Sequence, residues 1–539
     1  MSEVSIQFEP SGVTVNVPQG SLLLQAARQA SVAVDAPCGG IGRCGRCRVV
    51  VRGAVSPLTD DERALLSPED LAVGVRLACR TRVLGAAHVS AAPAFGRIRV
   101  VERSATERPE VEPPAVRGIG SVAPEEPLLG VAVDVGTTTL ALALVDLRNG
   151  DEVAHASALN PQHAYGADVM SRVSAAIAGD SKALQDVVAV EIERLAIGML
   201  DVIGASASHV REFSVVGNTA MRALLLAEDV SALAAAPYAD APIAPVETTT
   251  TAIGMRTFDA GVYVAPGVSA FIGGDIVAGM LITQLAEATR PTLFLDLGTN
   301  GEIVLVTGCD ILATSAAAGP ALEGASIENG MRAEPGAIER VSLQGTALIA
   351  ETIDGAPARG ICGSGLLDLV ASMLDLGVLD SSGRLLDDVP GSSETRVVVH
   401  GDQRAFILDP DPDAGVVLTQ RDVREIQLAK GAIRTAIDIL LESADVDATA
   451  VTRVVIAGGF GLHVRGSALA RIGMVPVEWA SRLQFAGNTA LAGAVALLVN
   501  GEIRTRAVSI AQEVRTIALA ADASFQQRFV ASLSFPQAR

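Results

Sequence analysis

Cys38, Cys44 and Cys47 are spaced C-x5-C-x2-C, and 31 residues separate Cys47 from Cys79. Three thiolates on one loop with a distant fourth is the ligand layout of a 2Fe-2S cluster. Gly39, Gly40, Gly42 and Gly45 let the loop curl and aim N-H groups at the cluster sulfurs, a bend that β-branched residues resist. Arg43, Arg46 and Arg48 add positive charge that favours the reduced cluster and steers an acidic redox partner. A zinc site would prefer two tight C-x2-4-C pairs, whereas Cys79 has no near partner. Disulfides do not suit a cytoplasmic chain. Cys309 and Cys362 stand alone and read as small buried residues. The six His are scattered, and none is assigned to a metal.

A second chemistry is written in two turns. In DVGTTT, Gly136 and Thr137, Thr138 and Thr139 offer N-H and hydroxyl donors to phosphate, and Asp134 can hold a metal-bound water. In DLGTNGE the pattern recurs with Asp296, Gly298, Thr299, Asn300 and Glu302. The expected arrangement is two hairpins clamping a triphosphate and Mg2+, with Asp134 and Asp296 positioning the metal and the attacking water and Glu302 a base candidate. A third segment, VVIAGGFG, is an apolar strand running into Gly458, Gly459 and Gly461, which allow adenosine close to the backbone; a tight packing turn explains those glycines as well. Purely structural DxGT turns are the competing reading, and the paired copies argue against it.

Taken in order, these three segments resemble the phosphate 1, phosphate 2 and adenosine motifs of the acetate and sugar kinase, chaperone ATPase and actin (ASKHA) superfamily. A helix opened by the capping box Thr419-x-x-Asp422 carries Gln427, Lys430 and Arg434 on neighbouring turns. The resemblance makes Gln427 and Lys430 adenosine contacts; a solvated helix face is the alternative.

The elements that must position these residues follow from periodicity. Residues 4–8 and 12–17 alternate apolar and polar around Pro10-Ser11-Gly12, which predicts a β-hairpin. A short helix near 21–30, the Cys-rich loop 37–48 and a strand at 48–51 complete a small α+β module over 1–101. Residues 102–127 hold five Pro and many charges without periodicity, which predicts an extended linker able to let the module swing over tens of Å, at about 3 Å per residue. Beyond it, VAVDVGTTTLALAL (131–144) aligns with LFLDLGTNGEIVL (293–305), predicting two related halves at about 128–290 and 291–539.

With 539 residues and 49% apolar side chains but only 3% aromatic ones, the chain is expected to build aliphatic α/β cores. Net charge is +3 over residues 1–101 and -23 over the rest, which argues against nucleic acid. Residues 1–10 show no basic and apolar leader pattern, and the uncharged stretch 483–501 reads as a buried helix with its loop. Cytoplasm, with no membrane partner, is the expectation.

The segments NPQHAYGADVMSR (160–172), VVGNTAM (215–221), FIGGDIVAG (271–279), AGPALEGASIENGM (318–331), GICGSGLLD (360–368) and AGNTALAGA (486–494) have no generic chemical meaning. With the C-x5-C-x2-C module, they resemble the reductive activators of corrinoid-dependent enzymes, in order and over nearly the whole chain. The resemblance implies a β-grasp 2Fe-2S ferredoxin domain, a linker and a duplicated actin- and sugar-kinase-like (ribonuclease H-like) ATPase domain. It implies 2Fe-2S, ATP and Mg2+ as cofactors, a corrinoid protein as partner, an upstream electron donor, and one-electron reduction of Co(II) to Co(I) for a methyltransferase. The x5 gap resembles adrenodoxin-like ferredoxins. Some members carry C-terminal 4Fe-4S domains, whereas no cysteine follows Cys362 here, so the chain is expected to belong with the 2Fe-2S branch. Only the 26 residues of 102–127 stand where some relatives insert a dimerising domain, and a homodimer is possible. Asp275 and Glu323 admit structural and catalytic roles alike. A nucleotide-binding redox switch without turnover, and an ATP-dependent electron injector for another enzyme, are the alternatives.

Overall fold

The computed structural model describes residues 3–9, 12–30, 32, 34, 42, 47–66, 68–91, 97–100, 110–112, 114–116, 123, 126–236, 238, 241–324, 326–386, 396–408, 415–458 and 464–537. They form two compact units, one of residues 1–278 with 490–509 and the other of 279–489 with 510–539.

The first unit begins with a five-stranded sheet in the order Thr14–Pro18, Glu3–Glu9, Val83–Ala91, Arg48–Val55, Val75–Leu77. Period-2 alternation puts Ile6 and Phe8 wholly inside while Glu3, Ser5 and Glu9 face outward. Helix Leu23–Gln29 buries Leu23, Leu24, Ala26 and Ala27. Its first N-H groups donate to Ala78 and Thr81 carbonyls at 2.9 Å, so backbone flanking Cys79 satisfies the helix end.

A second sheet in this unit runs Val246–Thr249, Gly261–Val264, Val210–Gly217, Leu129–Val135, Thr139–Asp146, Asp151–Leu159, Arg97–Val100. Its middle strands are apolar on both faces, with Val131, Ala132, Val133, Leu142 and Ala143 fully buried. Helix Ser181–Ile203 buries Leu184, Val188, Ile192 and Leu195 in the same core and stops at Gly204, whose φ of +71° suits glycine.

The second unit repeats the plan: Leu483–Gly487, Arg453–Ala457, Thr292–Leu297, Gly301–Val306, Ile311–Ala316, Val514–Thr516. In both units three antiparallel strands follow the chain, and a later strand joins the first of them in parallel: Val210–Gly217 beside Leu129–Val135, and Arg453–Ala457 beside Thr292–Leu297. The repeat seen in DVGTTT and DLGTNGE is thus a repeat of fold.

Three boundaries differ from the expected ones. The strand Arg97–Val100, inside the range given to the ferredoxin module, pairs antiparallel with residues 154–157 of the neighbouring sheet. The described residues of 102–127 lie along the first unit rather than forming a free tether. There, Ala115 N donates to Val499 O at 3.2 Å, Asn500 Nδ2 to Glu110 O at 2.9 Å, and Arg148 Nη2 to Ala123 O at 2.6 Å. Residues 490–509 belong to the first unit and 279–290 to the second, because the helices Thr489–Val499 and Gly501–Glu513 carry the chain back. Among the described residues, no helix is long and apolar enough to cross a membrane.

Candidate functional site

Cys47 and Cys79 enter the core of the first module at 1% exposure, with sulfurs 3.2 Å apart. That exceeds the S-S bond of about 2.05 Å, so the pair is not a disulfide. Cys47 leads into Arg48–Val55 and Cys79 follows Val75–Leu77, and the two strands are zipped by Ala78 N to Cys47 O at 2.8 Å. Two buried thiols converging from adjacent strands fit ligation of one iron of a 2Fe-2S cluster. Cys38 and Cys44 lie outside the described residues, as do Arg43 and Arg46. Arg48 is paired with Asp70 at 2.8 Å, so its charge is locally compensated.

Behind Cys79 stands a residue that the spacing gave no reason to single out. Glu62, wholly buried, accepts from Arg76 Nε and Nη2 at 2.8 and 3.0 Å, Leu77 N at 3.1 Å, Thr81 Oγ1 at 3.0 Å and Thr59 N at 2.9 Å. Burial raises its pKa, but the bonds from Arg76, Thr59 and Leu77, with the Arg76 charge, bring it down to about 2. This carboxylate fixes the backbone on both sides of Cys79. Thr59 and Glu62 also form a capping box at helix Asp60–Leu65, and that box was the readable signal.

At the first hairpin, Asp134 is the penultimate residue of Leu129–Val135, and Gly136 N donates to Thr139 O at 3.0 Å to close the turn. Two asparagines brace it. Asn160 Nδ2 donates to Gly136 O at 2.8 Å, and Asn218 Nδ2 to Thr137 Oγ1 at 2.9 Å. They come from NPQHAYG and VVGNTAM, segments whose role was not readable in advance. FIGGD joins them: a Cβ on Gly273 would sit 2.4 Å from Asn218 Cα, so only glycine allows that approach. Asp275, next in that segment, has its pKa pushed up to about 6 by burial against the opposing bond from Ile276 N.

At the second hairpin, Asp296 is again penultimate, in Thr292–Leu297, and Gly298 N donates to Asn300 O at 3.0 Å. The two hairpins differ across the strands. Asp296 is paired in register with Glu302, whereas Asp134 faces Ala141. Carboxylates directly opposite repel unless a cation or a donor intervenes. Ser315 Oγ supplies a donor to Glu302 Oε1 at 3.2 Å, and the acidic pair suits Mg2+. Among the described residues no three His, Cys, Asp or Glu are grouped to hold a metal, so such an ion would draw most ligands from phosphate and water. Thr299 Oγ1 donates to Glu323 Oε1 at 2.9 Å, which brings Glu323 to this hairpin. Gly458, with φ of +106°, packs where a Cβ would lie 2.4 Å from Leu297 O and 3.0 Å from Asp296 Oδ1. Its glycine is therefore needed to seat the strand end against the phosphate turn. Gly459 and Gly461 lie outside the described residues.

Gln427 and Lys430 do not lie on a solvated helix face. Helix Gln420–Ser443 opens with the capping box at Thr419 and Asp422, but it buries these two side chains. Gln427 Nε2 donates to Ser382 O and Leu533 O, each at 3.0 Å. Lys430 donates to Ser534 O and lies 5.2 Å over the Phe535 ring; burial, with the Arg434 charge, lowers its pKa to about 8. They clamp the C-terminal segment, so neither is a solvated side chain.

The ferredoxin module also touches the adjoining domain of its unit. Arg28, on helix Leu23–Gln29, donates to Ala164 O and lies 5.0 Å over the Tyr165 ring. Ala164 and Tyr165 belong to the same loop as Asn160.

Residues 6–84 match the family of 2Fe-2S iron-sulfur cluster binding domains. Residues 129–288, expected as the first ATPase half, match the RACo middle region, and 290–539 match the C-terminal domain of RACo, the ASKHA domain. The chain is 30% identical over 431 residues to the corrinoid activation enzyme RamQ of Eubacterium limosum, covering 76% of this chain and 71% of that protein. It is 26% identical over 445 residues to the [Co(II) methylated amine-specific corrinoid protein] reductase of Methanosarcina barkeri, covering 76% of this chain and 77% of that one. A solved reductive activator for corrinoid, iron-sulfur protein superposes with a TM-score of 0.72 at 26% identity, covering 99% of both chains. With its thiol pair in a 2Fe-2S domain and its duplicated Asp-Gly-Thr hairpins in order, the chain belongs to the family of corrinoid activation enzymes.

Proposed function

We propose that this chain is an ATP-dependent reductase that passes one electron to a corrinoid protein, converting Co(II) to Co(I) for a corrinoid-dependent methyltransferase. The observation that carries this reading is the union, in one polypeptide, of the buried Cys47 and Cys79 pair with two Asp-Gly-Thr hairpins. When bound, the 2Fe-2S cluster supplies a one-electron donor. Cys38, Cys44, Cys47 and Cys79 hold it, and an upstream donor restores the electron.

ATP and Mg2+ are taken up at the hairpins. Backbone N-H groups of Thr137, Thr138 and Asn300 donate to phosphate oxygens in turns closed by the Gly136 and Gly298 N-H groups, while Asp134 and Asp296 orient Mg2+ and the attacking water, with Glu302 beside Asp296. The Thr299 hydroxyl, its proton given to Glu323, presents lone pairs to a cation or water rather than a donor to phosphate. Nucleotide drives the reduction by changing which protein complex is stable: each ~59 mV of one-electron gap is tenfold, so a gap of about 300 mV needs a bias of about 10^5.

The test is anaerobic. The full chain, reduced, is mixed with a Co(II) corrinoid protein, and the Co(I) absorbance is followed with and without ATP. Growth of the signal only with ATP, lost in Asp134→Ala and in Cys47→Ser, is expected. Co(I) formation indifferent to ATP, or full activity in either variant, overturns the reading.

A further inference from the structure

Among the described residues, Arg172 carries a buried charge with no carboxylate in hydrogen-bond contact. It lies in helix Val169–Ala175, within NPQHAYGADVMSR, and is 0% exposed. Nε donates to Gly166 O at 3.0 Å and Nη1 meets Met221 Sδ at 3.3 Å, while Nη2 has no partner among the described residues. Asp168, the carboxylate whose charge favours this guanidinium, gives its oxygens instead to Ser171 N and Oγ at 2.8 and 2.9 Å. Burial lowers the Arg172 pKa to about 10, which leaves it a cation at neutral pH. Buried charges are ordinarily paired, because removal from water without a partner is costly.

The charge sits two side chains behind the Gly136 turn, beyond Met221 and then Asn160 or Asn218. Met221 Sδ, touched by the guanidinium, is also 3.7 Å from Asn160 Nδ2, the group that braces Gly136. Met221 N donates to Asn218 Oδ1 at 3.0 Å, and Asn218 braces Thr137. Both braces of the turn therefore meet at the residue that Arg172 contacts. Gly166 makes the placement possible, since a Cβ there would lie 2.4 Å from Ser171 Cβ and 3.1 Å from Arg172 N.

We propose that Arg172 is the counter-charge for the nucleotide polyphosphate at the Gly136 turn, acting through its field across two layers of side chains rather than by touching phosphate. The inference rests on the reading of residues 136–139 as a phosphate-binding turn. A positioning cation of this kind strengthens binding in proportion to the negative charge on the ligand. At an effective dielectric near 20 and a separation of about 10 Å, the gain is about tenfold in affinity per charge.

The experiment titrates the full chain with adenosine, ADP and ATP in the presence of Mg2+, for the wild type, Arg172→Met and Arg172→Lys. Affinity in the wild type is expected to rise from adenosine to ATP. Arg172→Met should leave adenosine binding unchanged, weaken ADP about tenfold and weaken ATP further, while Arg172→Lys keeps the ATP preference. An equal loss for all three ligands, or an ATP affinity unchanged in Arg172→Met, overturns the proposal. A wild type that binds ATP no better than adenosine refutes the phosphate-turn reading itself, a separate outcome. If Arg172→Met fails to fold, Arg172→Lys decides: with the charge kept and the Gly166 bond altered, collapse of its ATP-to-adenosine ratio shows a structural arginine.

Discussion

Thr299 and Glu323 are joined by a 2.9 Å hydrogen bond that ties the second Asp-Gly-Thr turn to the 3-10 helix Pro320–Glu323. The bond fixes the hydroxyl rotor and leaves the Thr299 oxygen as an acceptor. Glu323→Ala should therefore lower ATP turnover about 100-fold, within the range for a positioned acid or base group, while the ATP dissociation constant stays within about threefold. Steady-state hydrolysis beside equilibrium binding checks it. A fall in affinity as large as the fall in kcat would show that Glu323 merely holds the turn together.

Glu62 makes the ferredoxin module acid-sensitive in a defined window. Its folded pKa of about 2 lies below the unfolded value of about 4.3, so its contribution is present above the unfolded value and is lost as pH falls from there through about 2. Glu62→Gln leaves the buried Arg76 guanidinium uncompensated and should destabilise the module by about 3 kcal/mol at neutral pH. Its visible absorbance from the cluster, followed against temperature at several pH values, should lose the component that titrates between pH 4 and 2 in the wild type.

For Asp275 the sign is opposite. A folded pKa of about 6, above the unfolded value of about 3.9, means that the protonated form is favoured by the fold, with stability fully present below pH 4 and lost as pH rises through 6. Asp275→Asn should raise the stability of its unit by about 3 kcal/mol at pH 7, with the advantage vanishing below pH 4. Thermal melts of the full chain at pH 4 and pH 7 compare the two proteins. Equal melting temperatures at pH 7 would show that Asp275 is stabilised as an anion.

Arg28 over Tyr165 is a contact between redox module and nucleotide-hairpin loop that can be cut without touching either centre. Arg28→Ala removes a cation-π contact of about 1–2 kcal/mol. Hydrogen exchange should accelerate in residues 160–166 and in helix Leu23–Gln29, while the cluster absorbance is unchanged. Exchange identical to the wild type in both segments would show that the contact contributes nothing in solution.

What could be read in advance was local. Asp134 and Asp296 declare themselves because strand, Gly-Thr turn and strand are contiguous in the chain, and the Thr419 to Asp422 capping box spans four residues. Distant pairings stayed hidden. Lys430 looks like an exposed or ligand-facing cation until residues 533–536 fold over it, 104 positions on in the case of Ser534. Glu302 seemed to mirror the first hairpin, but only register reveals that its cross-strand partner is Asp296 and that the equivalent position holds Ala141. Asn160 and Asn218 carry no mark of function apart from the turn that they brace. Arg97–Val100 has too few residues to signal which sheet edge it will extend.

That short strand sets the length of a leash. Five residues, 92–96, lie between Ala91 at the end of the ferredoxin sheet and Arg97, which is hydrogen-bonded into the neighbouring sheet. Six Cα steps reach about 20 Å at full extension. While Arg97–Val100 stays paired, Ala91 can lie no farther than that from Arg97, which holds the ferredoxin module beside the sheet that this strand extends. Under the proposed function the module is then a berth held beside that sheet, and the distance an electron jumps is set by how closely the corrinoid protein docks on it.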